Sequence, residues 1–417
     1  MVKYSGLARR LLRSTLVAEI NGNLLSISTS TSVIQSRNQS SSSSLKLKDS
    51  FKHSTDISVR LASPDRLQPK PDVSQLRFGK QFTDHMLRIE YHASAGGWQA
   101  PIIQPLEYIS LHPAAKVLHY AVELFEGMKA YRGVDGRIRI FRPDLNMERM
   151  NLSAARAGLP QFDNEELIKC LNRLVSIDQE WVPHSEAASL YIRPTLIGTE
   201  PTLGIGASES ALLYVILSPV ASYFGPSFKP VSLMADPQFI RAWPGGCGDR
   251  KMGSNYAPTI HIGSIAQQKG FDQVLWLYGE DEQVTEAGTM NIFFLIINDD
   301  GEKELITPPL NGLILPGVTR ISIIQLMEQW NEVKVNQRKI TMAEVCKLNS
   351  ENRILEMFGA GTAVVICPVD VIGYRDSYVE LPTMRDQQNS LWFKLLTTLT
   401  GIQYGRVIHP WGRPIDE

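Results

Sequence analysis

The pattern of apolar and polar positions alternates between strand-like and helix-like spacing from about residue 75 onward. Leu167, Leu171 and Leu174 recur on one face of a helix, and Asp163 just before them is a candidate N-cap. Two apolar stretches after this helix predict strands, SLYIRPTLIG and ALLYVILSPV. Three earlier segments predict strands, HMLRIEYH, MKAYRG and RIRIFRP, and the last two are joined as a hairpin. The segment NMERMNLSAARAGL predicts a helix that ends at Gly158. We therefore expect a mixed α/β (α+β) fold.

A Pro/Gly-rich stretch, SPVASYFGPSFKP, separates these elements from a second series. The second series predicts strands over VSLMA, QVLWLYG and KVNQRKI, and helices over APTIHIGSIAQQKG, VTRISIIQLMEQW, TMAEVCKLN and DQQNSLWFKLLTTLTGI. At 417 residues the chain is long enough for two domains. We expect a smaller α/β domain at residues 61–221, a linker at 222–232 and a larger domain at 233–417.

Residues 1–48 differ in composition from the rest, with seven Lys/Arg residues and a single acid, Glu19. Such an Arg-rich, Ser-rich and acid-poor segment, without a secretory apolar run, is typical of an organelle transit peptide. The alternative is a disordered tail with no targeting role. We expect residues 1–60 to form a leader that directs the protein to the mitochondrial matrix, with plastid and cytoplasm less favoured.

Composition and charge exclude several classes of protein. The formal net charge is −1, and the chain has no basic stripe with interleaved aromatic residues, so no nucleic-acid partner is expected. No apolar run is long enough to span a bilayer, so no membrane partner is expected. The four cysteines lie far apart without a CxxC pair, and the histidines lack metal-binding spacing. We expect free thiols and no bound metal.

Two polar residues stand out in the second half. Lys251 lies in a glycine-rich segment, GDRKMGSNYAPT, and is either a solvated loop lysine or a nucleophile held in a cleft. Glu286, in TEAGTMN, lies at the start of the strongly apolar run NIFFLII. It is either a surface hairpin residue or a buried carboxylate that needs a cation or a proton donor.

Two further segments offer backbone N–H groups to an anion. LPGVT, residues 315–319, begins a helix and is either an ordinary helix start or a phosphate site. GAGT, residues 359–362, predicts a turn with a second group of free N–H donors. Neither a Walker motif nor GxGxxG is present. A lysine, a carboxylate and an anion site together match what pyridoxal phosphate requires.

Several of these stretches resemble the branched-chain amino-acid aminotransferases, which are pyridoxal-phosphate enzymes of fold type IV. The resemblance is carried by GDRKMGSNYAPT, QVLWLYGEDEQVTEAGTMNIFF, TPPLNGLILPGVTR, FGAGTA, LHYAVELFEGMKAYRG, FRPDLNMERM and LYIRPTLIGTEPTLG. It runs in order from about Phe78 to Gly405, and the run of motifs resembles the animal mitochondrial or cytosolic form. The resemblance implies a two-domain architecture of the D-amino-acid-aminotransferase type.

The resemblance also implies where pyridoxal 5'-phosphate binds. Lys251 would form the Schiff base and then carry the proton between Cα and C4′. Glu286 would pair with the pyridine nitrogen, and Tyr256 would hydrogen-bond the phenolic oxygen of the ring. The implied cofactor-binding residues are Lys251, Arg149, Tyr256, Glu286, Leu315, Gly317, Val318, Thr319, Gly361 and Thr362.

The phosphate would be held by Arg149, by the backbone N–H groups of Val318 and Thr319, and by Thr362. Without the resemblance, Arg149 would be interpreted as part of an ion pair on a helix surface.

The implied reaction transfers the amino group of L-leucine, L-isoleucine or L-valine to 2-oxoglutarate, giving a branched 2-oxo acid and glutamate by a ping-pong route. The implied substrate pocket contains Phe78, Tyr120, Phe125, Tyr191, Arg193, Thr289 and Ala363, with Arg193 available for the γ-carboxylate. Apolar walls rank the three branched side chains weakly, since a methylene is worth only ~1–3 kcal/mol. The segment TEPTLGIG resembles the loop that reaches a neighbouring subunit's site, which implies a homodimer.

One departure from the family pattern concerns redox chemistry. Vertebrate members carry a CxxC after the GT turn, whereas here Val364 takes the position of the first cysteine and Cys367 is kept. A thiol switch of that kind is therefore not expected. The alternatives to the transaminase are a D-amino-acid aminotransferase, an aminodeoxychorismate lyase, or a non-catalytic relative that serves as an interaction module.

Overall fold

The computed structural model describes residues 50–221 and 229–416. Two large β-sheets, formed successively along the chain, dominate this part of the protein. The α-helices within it are α1 (His53–Asp56), α2 (Lys116–Tyr120), α3 (Pro143–Ala157), α4 (Asn164–Ile177), α5 (Thr259–Gln268), α6 (Val318–Trp330), α7 (Met342–Ser350) and α8 (Leu391–Gln403).

The first sheet is built mainly from the first half of the chain. Its strands are β1 (Ser58–Val59), β2 (His85–His92), β3 (Gly97–Trp98), β4 (Ile102–Pro105), β5 (Glu123–Phe125), β6 (Met128–Arg132), β7 (Ile138–Phe141), β8 (Ala188–Gly198), β9 (Ser210–Ala221) and β19 (Gly412–Pro414). Their order is β1-β4-β2-β9-β8-β6-β7-β19, with β3 beside β2 and β5 beside β8. The edge strand β19 comes from the C-terminal region and pairs antiparallel with β7.

Helices α3 and α4 pack against each other, and their apolar faces join one core with the first sheet. Leu167, Leu171 and Leu174 are buried in that core. The Asp163 carboxylate accepts hydrogen bonds from the backbone N–H groups two and three residues further on, which confirms the predicted N-cap. The α3 helix ends at Gly158, as its sequence predicts.

The second sheet follows along the chain. Its strands are β10 (Val231–Ala235), β11 (Gln273–Tyr278), β12 (Gln283–Ala287), β13 (Met290–Ile297), β14 (Lys303–Thr307), β15 (Lys334–Gln337), β16 (Ile354–Gly361), β17 (Val365–Tyr374) and β18 (Ser377–Glu380). Their order is β12-β11-β10-β17-β16-β13-β14-β15, with β18 beside β17. Because β12 also pairs with β13, six of these strands close into a ring. The tight β12–β13 and β16–β17 hairpins both lie in this ring.

The GAGT segment differs from its prediction as an open turn. Gly359, Ala360 and Gly361 extend β16 and pair with β17, so that only Thr362–Val364 turns. The reason is the backbone pairing of these residues with β17. A Cβ atom at Gly359 would also lie 2.9 Å from the sulfur of Met290. Glycine at this position therefore serves close approach to Met290 rather than chain reversal.

The structure also differs from the sequence predictions at two element boundaries. The C-terminal helix begins at Leu391, later than the sequence predicts, because the Ser390 hydroxyl caps it by accepting from the N–H of Phe393. Residues 50–60, which the sequence assigns to the leader, pack on the first sheet, since Phe51 is buried against Trp98 and Phe162. The packing of this aromatic side chain stabilises the position of residues 50–60 on the first sheet.

The rest of the predicted leader, residues 1–49, and most of the predicted linker lie outside the described residues. The strand β10 begins at Val231. The division into domains at 61–221 and 233–417 stays a prediction. Among the residues that the structure describes, no helix has the length and apolar character to cross a membrane. In the same residues, no cluster of His, Cys, Asp or Glu suits a metal ion.

Candidate active site

A cavity of about 380 Å³ collects most of the residues that the sequence singles out. It is lined by Phe78, Phe125, Gly127, Arg149, Tyr191, Arg193, Lys251, Tyr256, Glu286, Thr289, Asn291, Leu315, Gly317, Val318, Thr319, Ala360, Gly361, Thr362 and Ala363. All of the predicted cofactor-binding residues are among them. Of the predicted substrate pocket, Tyr120 alone is missing.

Lys251 is fixed in the cavity wall through its own peptide group. Its N–H donates to the Ser153 hydroxyl on α3 at 2.9 Å, and its carbonyl accepts from the N–H of Phe125 on β5 at 3.0 Å. The side-chain amine lies 2.9 Å from the hydroxyl of Tyr256 and 4.5 Å from the centre of the Phe125 ring. The glycine-rich segment therefore directs this lysine into the cavity.

The surroundings of Lys251 favour its neutral form. Burial lowers the pKa of the amine to about 8, and the nearby Arg149 guanidinium acts in the same direction. A lysine with a pKa near neutrality holds an appreciable fraction of the free amine, which is the nucleophilic form. Burial also raises the pKa of the Tyr256 hydroxyl to about 12, so this hydroxyl keeps its proton at neutral pH.

Glu286 is a buried carboxylate rather than a surface hairpin residue. One of its oxygens pairs with the guanidinium of Arg241 at 2.8 Å. The other accepts from the backbone N–H of Leu315 at 3.0 Å and from the Asn291 side chain at 3.2 Å. Burial raises the pKa of this carboxyl, and Arg241 opposes that rise. The carboxylate therefore lies in the cavity wall with a fixed orientation.

Arg149 forms an ion pair, but the pair is buried rather than on a helix surface. Two guanidinium nitrogens contact the two oxygens of Glu126 at 2.7 Å each. A third nitrogen donates to the carbonyl of Pro316 at 2.9 Å, which ties α3 to the turn before α6. The Asn146 side chain also donates to Glu126 at 2.8 Å. A planar fork held in this way presents its remaining N–H groups in a fixed direction.

The first turn of α6 offers backbone N–H groups to the cavity. The N–H groups of Val318 and Thr319 have no acceptor within their own helix, and both residues line the cavity. Gly317 precedes them as the N-cap. A Cβ atom on Gly317 would lie 2.0 Å from the side-chain oxygen of Asn291, so only glycine fits here. Thr362 also lines the cavity, and its hydroxyl donates to the Gly127 carbonyl at 3.3 Å.

Part of the cavity lining is aromatic and carries the guanidinium of Arg193. The rings of Phe78 and Tyr191 meet edge to face, with centres 5.0 Å apart. Arg193 lies over the Phe125 ring at 4.7 Å and donates to the Tyr191 hydroxyl at 2.9 Å. The walls therefore suit an apolar side chain, and the guanidinium suits a carboxylate. Thr289 and Ala363 reach the cavity from the β12–β13 and β16–β17 turns.

Tyr120 is the one predicted pocket residue that this structure places elsewhere. It ends the short helix α2, and its hydroxyl donates to the carbonyl of Leu203. This hydrogen bond turns the ring toward the 199–207 loop instead of the cavity.

Sequence reasoning missed several partners of the site, namely Glu126, Lys129, Arg241 and Asn291. Glu126 and Lys129 lie inside a stretch that carried the resemblance, whereas Arg241 lies in a loop without periodic pattern. The amine of Lys129 donates to the Ala363 carbonyl at 2.8 Å, and burial lowers its pKa to about 8. These groups are found only when the tertiary structure brings distant segments together.

The cavity therefore combines three chemical functions. An amine of lowered pKa, at Lys251, supplies a nucleophile and a proton acceptor. A buried carboxylate, at Glu286, can stabilise a positive charge beside it. The first turn of α6, with Arg149, can bind an anion the size of a phosphate group.

Comparison with known proteins agrees with this chemistry. Residues 123–372 match the family described as amino-transferase class IV. The chain is 57% identical over 346 residues to the cytosolic branched-chain-amino-acid aminotransferase of Mus musculus, covering 83% of this chain and 89% of that protein. It is 53% identical over 348 residues to the mitochondrial form of Bos taurus, covering 83% and 88% of the two chains.

Solved structures share the fold at low sequence identity. The branched-chain aminotransferase from Thermoproteus uzoniensis with norvaline aligns with a TM-score of 0.64 at 24% identity, over 79% of this chain and 99% of that one. The enzyme from Thermobaculum terrenum in its PLP form aligns with a TM-score of 0.64 at 20% identity, over 80% and 98%. The predicted mixed α/β fold of this type is confirmed.

Proposed function

The chain belongs to the branched-chain-amino-acid aminotransferases of the class IV aminotransferase family, and from this membership we propose its reaction. It transfers the amino group of L-leucine, L-isoleucine or L-valine to 2-oxoglutarate, giving the branched 2-oxo acid and L-glutamate. The observation that carries the proposal is the meeting of Lys251, Glu286 and the first turn of α6 in one cavity. A non-catalytic interaction module would have no need of all three.

The residues of the cavity fit pyridoxal 5'-phosphate. Arg149, the N–H groups of Val318 and Thr319, and Thr362 would hold the phosphate. The chemistry of these donors supports the assignment, since a guanidinium, two N–H groups at a helix N-terminus and a hydroxyl all suit a phosphate. When bound, the cofactor supplies an electron sink for negative charge at the substrate α-carbon.

The ring of the cofactor would lie between three side chains. Glu286 would pair with the pyridine nitrogen, Tyr256 with the phenolic oxygen, and the Lys251 amine with the reactive carbon. Leu315 donates its N–H to Glu286 and so keeps that carboxylate oriented. Gly361 contributes a wall without a side chain.

The chain's own groups then serve substrate binding and proton transfer. The Lys251 amine accepts and returns a proton at its Nζ atom, since a pKa of about 8 lets it exist in both forms near neutral pH. Phe78, Phe125 and Tyr191 exclude water around an apolar side chain. Arg193 would bind the second carboxylate of 2-oxoglutarate or glutamate.

We also propose that the protein works as a homodimer in the mitochondrial matrix. Leu203 and Ile205 are 65% and 87% exposed at the tip of the 199–207 loop, which supports contact with a second copy. Tyr120, which holds this loop, would complete a neighbouring site rather than its own. The Arg-rich, acid-poor composition of residues 1–48 supports the compartment.

Absorption spectroscopy tests the proposed function. Purified protein reconstituted with pyridoxal 5'-phosphate should be yellow, lose that colour with L-leucine and regain it with 2-oxoglutarate. The Lys251→Ala variant should show no turnover under the same conditions. A wild-type protein that stays colourless after reconstitution would refute the proposal.

A further inference from the structure

Residues 68–84 form a loop whose two ends are joined by a single carboxylate. One oxygen of Asp84 accepts from the backbone N–H of Gln68 at 2.8 Å, and the other accepts from the Lys70 amine at 3.2 Å. The Asp84 side chain is only 3% exposed. The indole N–H of Trp181 also donates to this carboxylate, at 2.7 Å, from outside the loop. A buried charge with three donors around it is firmly held.

The same loop carries a wall of the candidate active site. Leu76 is buried within the loop and anchors its middle. Two residues further on, the Phe78 ring meets Tyr191 at 5.0 Å, although Phe78 itself is 51% exposed. Gly79 follows with φ +65°, which allows the chain to turn back toward the sheet. Phe78 therefore stands at the mouth of the cavity with few contacts of its own.

We propose that Asp84 is a positioning residue for Phe78. By closing the base of the 68–84 loop, its carboxylate sets the place of the Phe78 ring against Tyr191, and with it the affinity for apolar substrate side chains. This inference rests on the proposed function, because it assigns Phe78 to the pocket for the branched side chain.

The expected effect falls on substrate binding rather than on chemistry. Phe78 would touch the substrate side chain, which changes little between the bound substrate and the transition state. Loss of such a contact raises KM and leaves kcat nearly unchanged. An aromatic contact is worth ~0.5–1.5 kcal/mol, which corresponds to an about two- to tenfold change in KM.

The test compares the holoenzyme with four variants, using L-leucine as substrate. Phe78→Ala and Asp84→Ala should each raise KM about two- to tenfold with kcat within about twofold. The double variant should be no worse than Phe78→Ala alone, because both changes act through one contact. Trp181→Phe removes the donor outside the loop but keeps an aromatic ring beside Lys70, so it should raise KM less than Asp84→Ala does. Additive effects in the double variant, or an equal rise of KM in Trp181→Phe, would overturn the proposal.

Hydrogen exchange separates this inference from the proposed function. Amides of residues 70–83 should exchange faster in Asp84→Ala than in wild type, in apoenzyme as well as holoenzyme. Unchanged exchange would overturn the role of Asp84 even if the enzyme is active. If wild type does not transaminate, the proposed function fails, while faster exchange would still support the closure of the loop. If Asp84→Ala does not fold, Lys70→Met provides a milder test, because it removes one of the two contacts between Asp84 and the start of the loop. Amides of residues 70–83 should then also exchange faster than in wild type, but by less than is expected for Asp84→Ala.

Discussion

The side-chain amine of Lys251 lies 2.9 Å from the hydroxyl of Tyr256, five residues further along the chain. A hydroxyl orients the amine without fixing its charge, whereas a carboxylate in that place would hold it protonated. Tyr256→Phe should therefore lower kcat/KM about three- to tenfold, the effect of losing one hydrogen bond of ~1 kcal/mol. Steady-state kinetics measures the change. The matched control is Tyr108→Phe, since Tyr108 is fully exposed and should keep wild-type kinetics.

The lowered pKa of Lys251 predicts an amine that becomes reactive near pH 8. In folded apoenzyme, the rate of acetylation of Lys251 should rise with a midpoint at about pH 8, and in denaturant with a midpoint at ~10.4. Between these pH values the unfolded chain binds more protons than the folded one at this group. The contribution of Lys251 to the free energy of unfolding therefore increases with pH in that window. Peptide mass spectrometry after brief acetylation gives both midpoints, and equal midpoints would contradict the burial of the amine.

The buried pair of Arg149 and Glu126 predicts different outcomes for stability and for cofactor binding. Arg149→Gln leaves a buried carboxylate without its cation and should lower the free energy of unfolding by ~3–5 kcal/mol. Adding Glu126→Gln removes that charge and should restore much of the stability. The double variant should still bind pyridoxal 5'-phosphate poorly, because the guanidinium is absent. Urea unfolding and cofactor titration measure the two quantities, and full recovery of cofactor binding would exclude Arg149 from the phosphate site.

Gly317 predicts a steric effect at the anion site. A Cβ atom at this position would lie 2.0 Å from the Asn291 side-chain oxygen, so Gly317→Ala should cost ~1–3 kcal/mol and weaken cofactor binding. The control is Gly263→Ala on helix α5, where an added Cβ meets no atom within 4 Å. That change should be neutral or stabilise the protein by up to ~1 kcal/mol. Thermal unfolding with and without cofactor distinguishes the two sites.

The four cysteines should separate into two classes of reactivity. Cys170 and Cys367 are buried, and burial raises the pKa of each thiol to about 12. Cys247 and Cys346 are partly exposed. A thiol-reactive chromophore should therefore modify two cysteines in native protein and all four after unfolding. Rapid modification of native Cys367 would reopen the question of a redox role for this residue.

Local sequence patterns predicted the elements that frame the site. Apolar spacing and the Asp163 cap located α4, and the resemblance named Lys251, Glu286 and Arg149, all of which line one cavity. Such signals are local, because helix caps and strand periodicity depend on neighbours within a few residues.

The partners that set the electrostatics were not predictable in this way. Arg241 lies in a loop far from Glu286 in the sequence, and nothing in its local sequence indicates that it pairs with this carboxylate. The ion pair between Glu126 and Arg149 was not predicted for the same reason, since tertiary packing brings the two residues together. Tyr120 shows the opposite case, since the family pattern placed it in the pocket while a hydrogen bond to Leu203 holds it elsewhere. Burial and pairing of charges depend on the packing of distant segments, which spacing along the chain does not encode.

The pairing of β19 with β7 has a consequence for biosynthesis. Residues 412–414 leave the ribosome only after the whole second sheet has been made, yet they cover an edge of the first sheet. Until then, the β7 edge offers unpaired backbone groups to any strand nearby. The β7 edge is thus open to misassembly during the whole interval in which the second sheet is being made, and chaperone protection of that edge would matter most then.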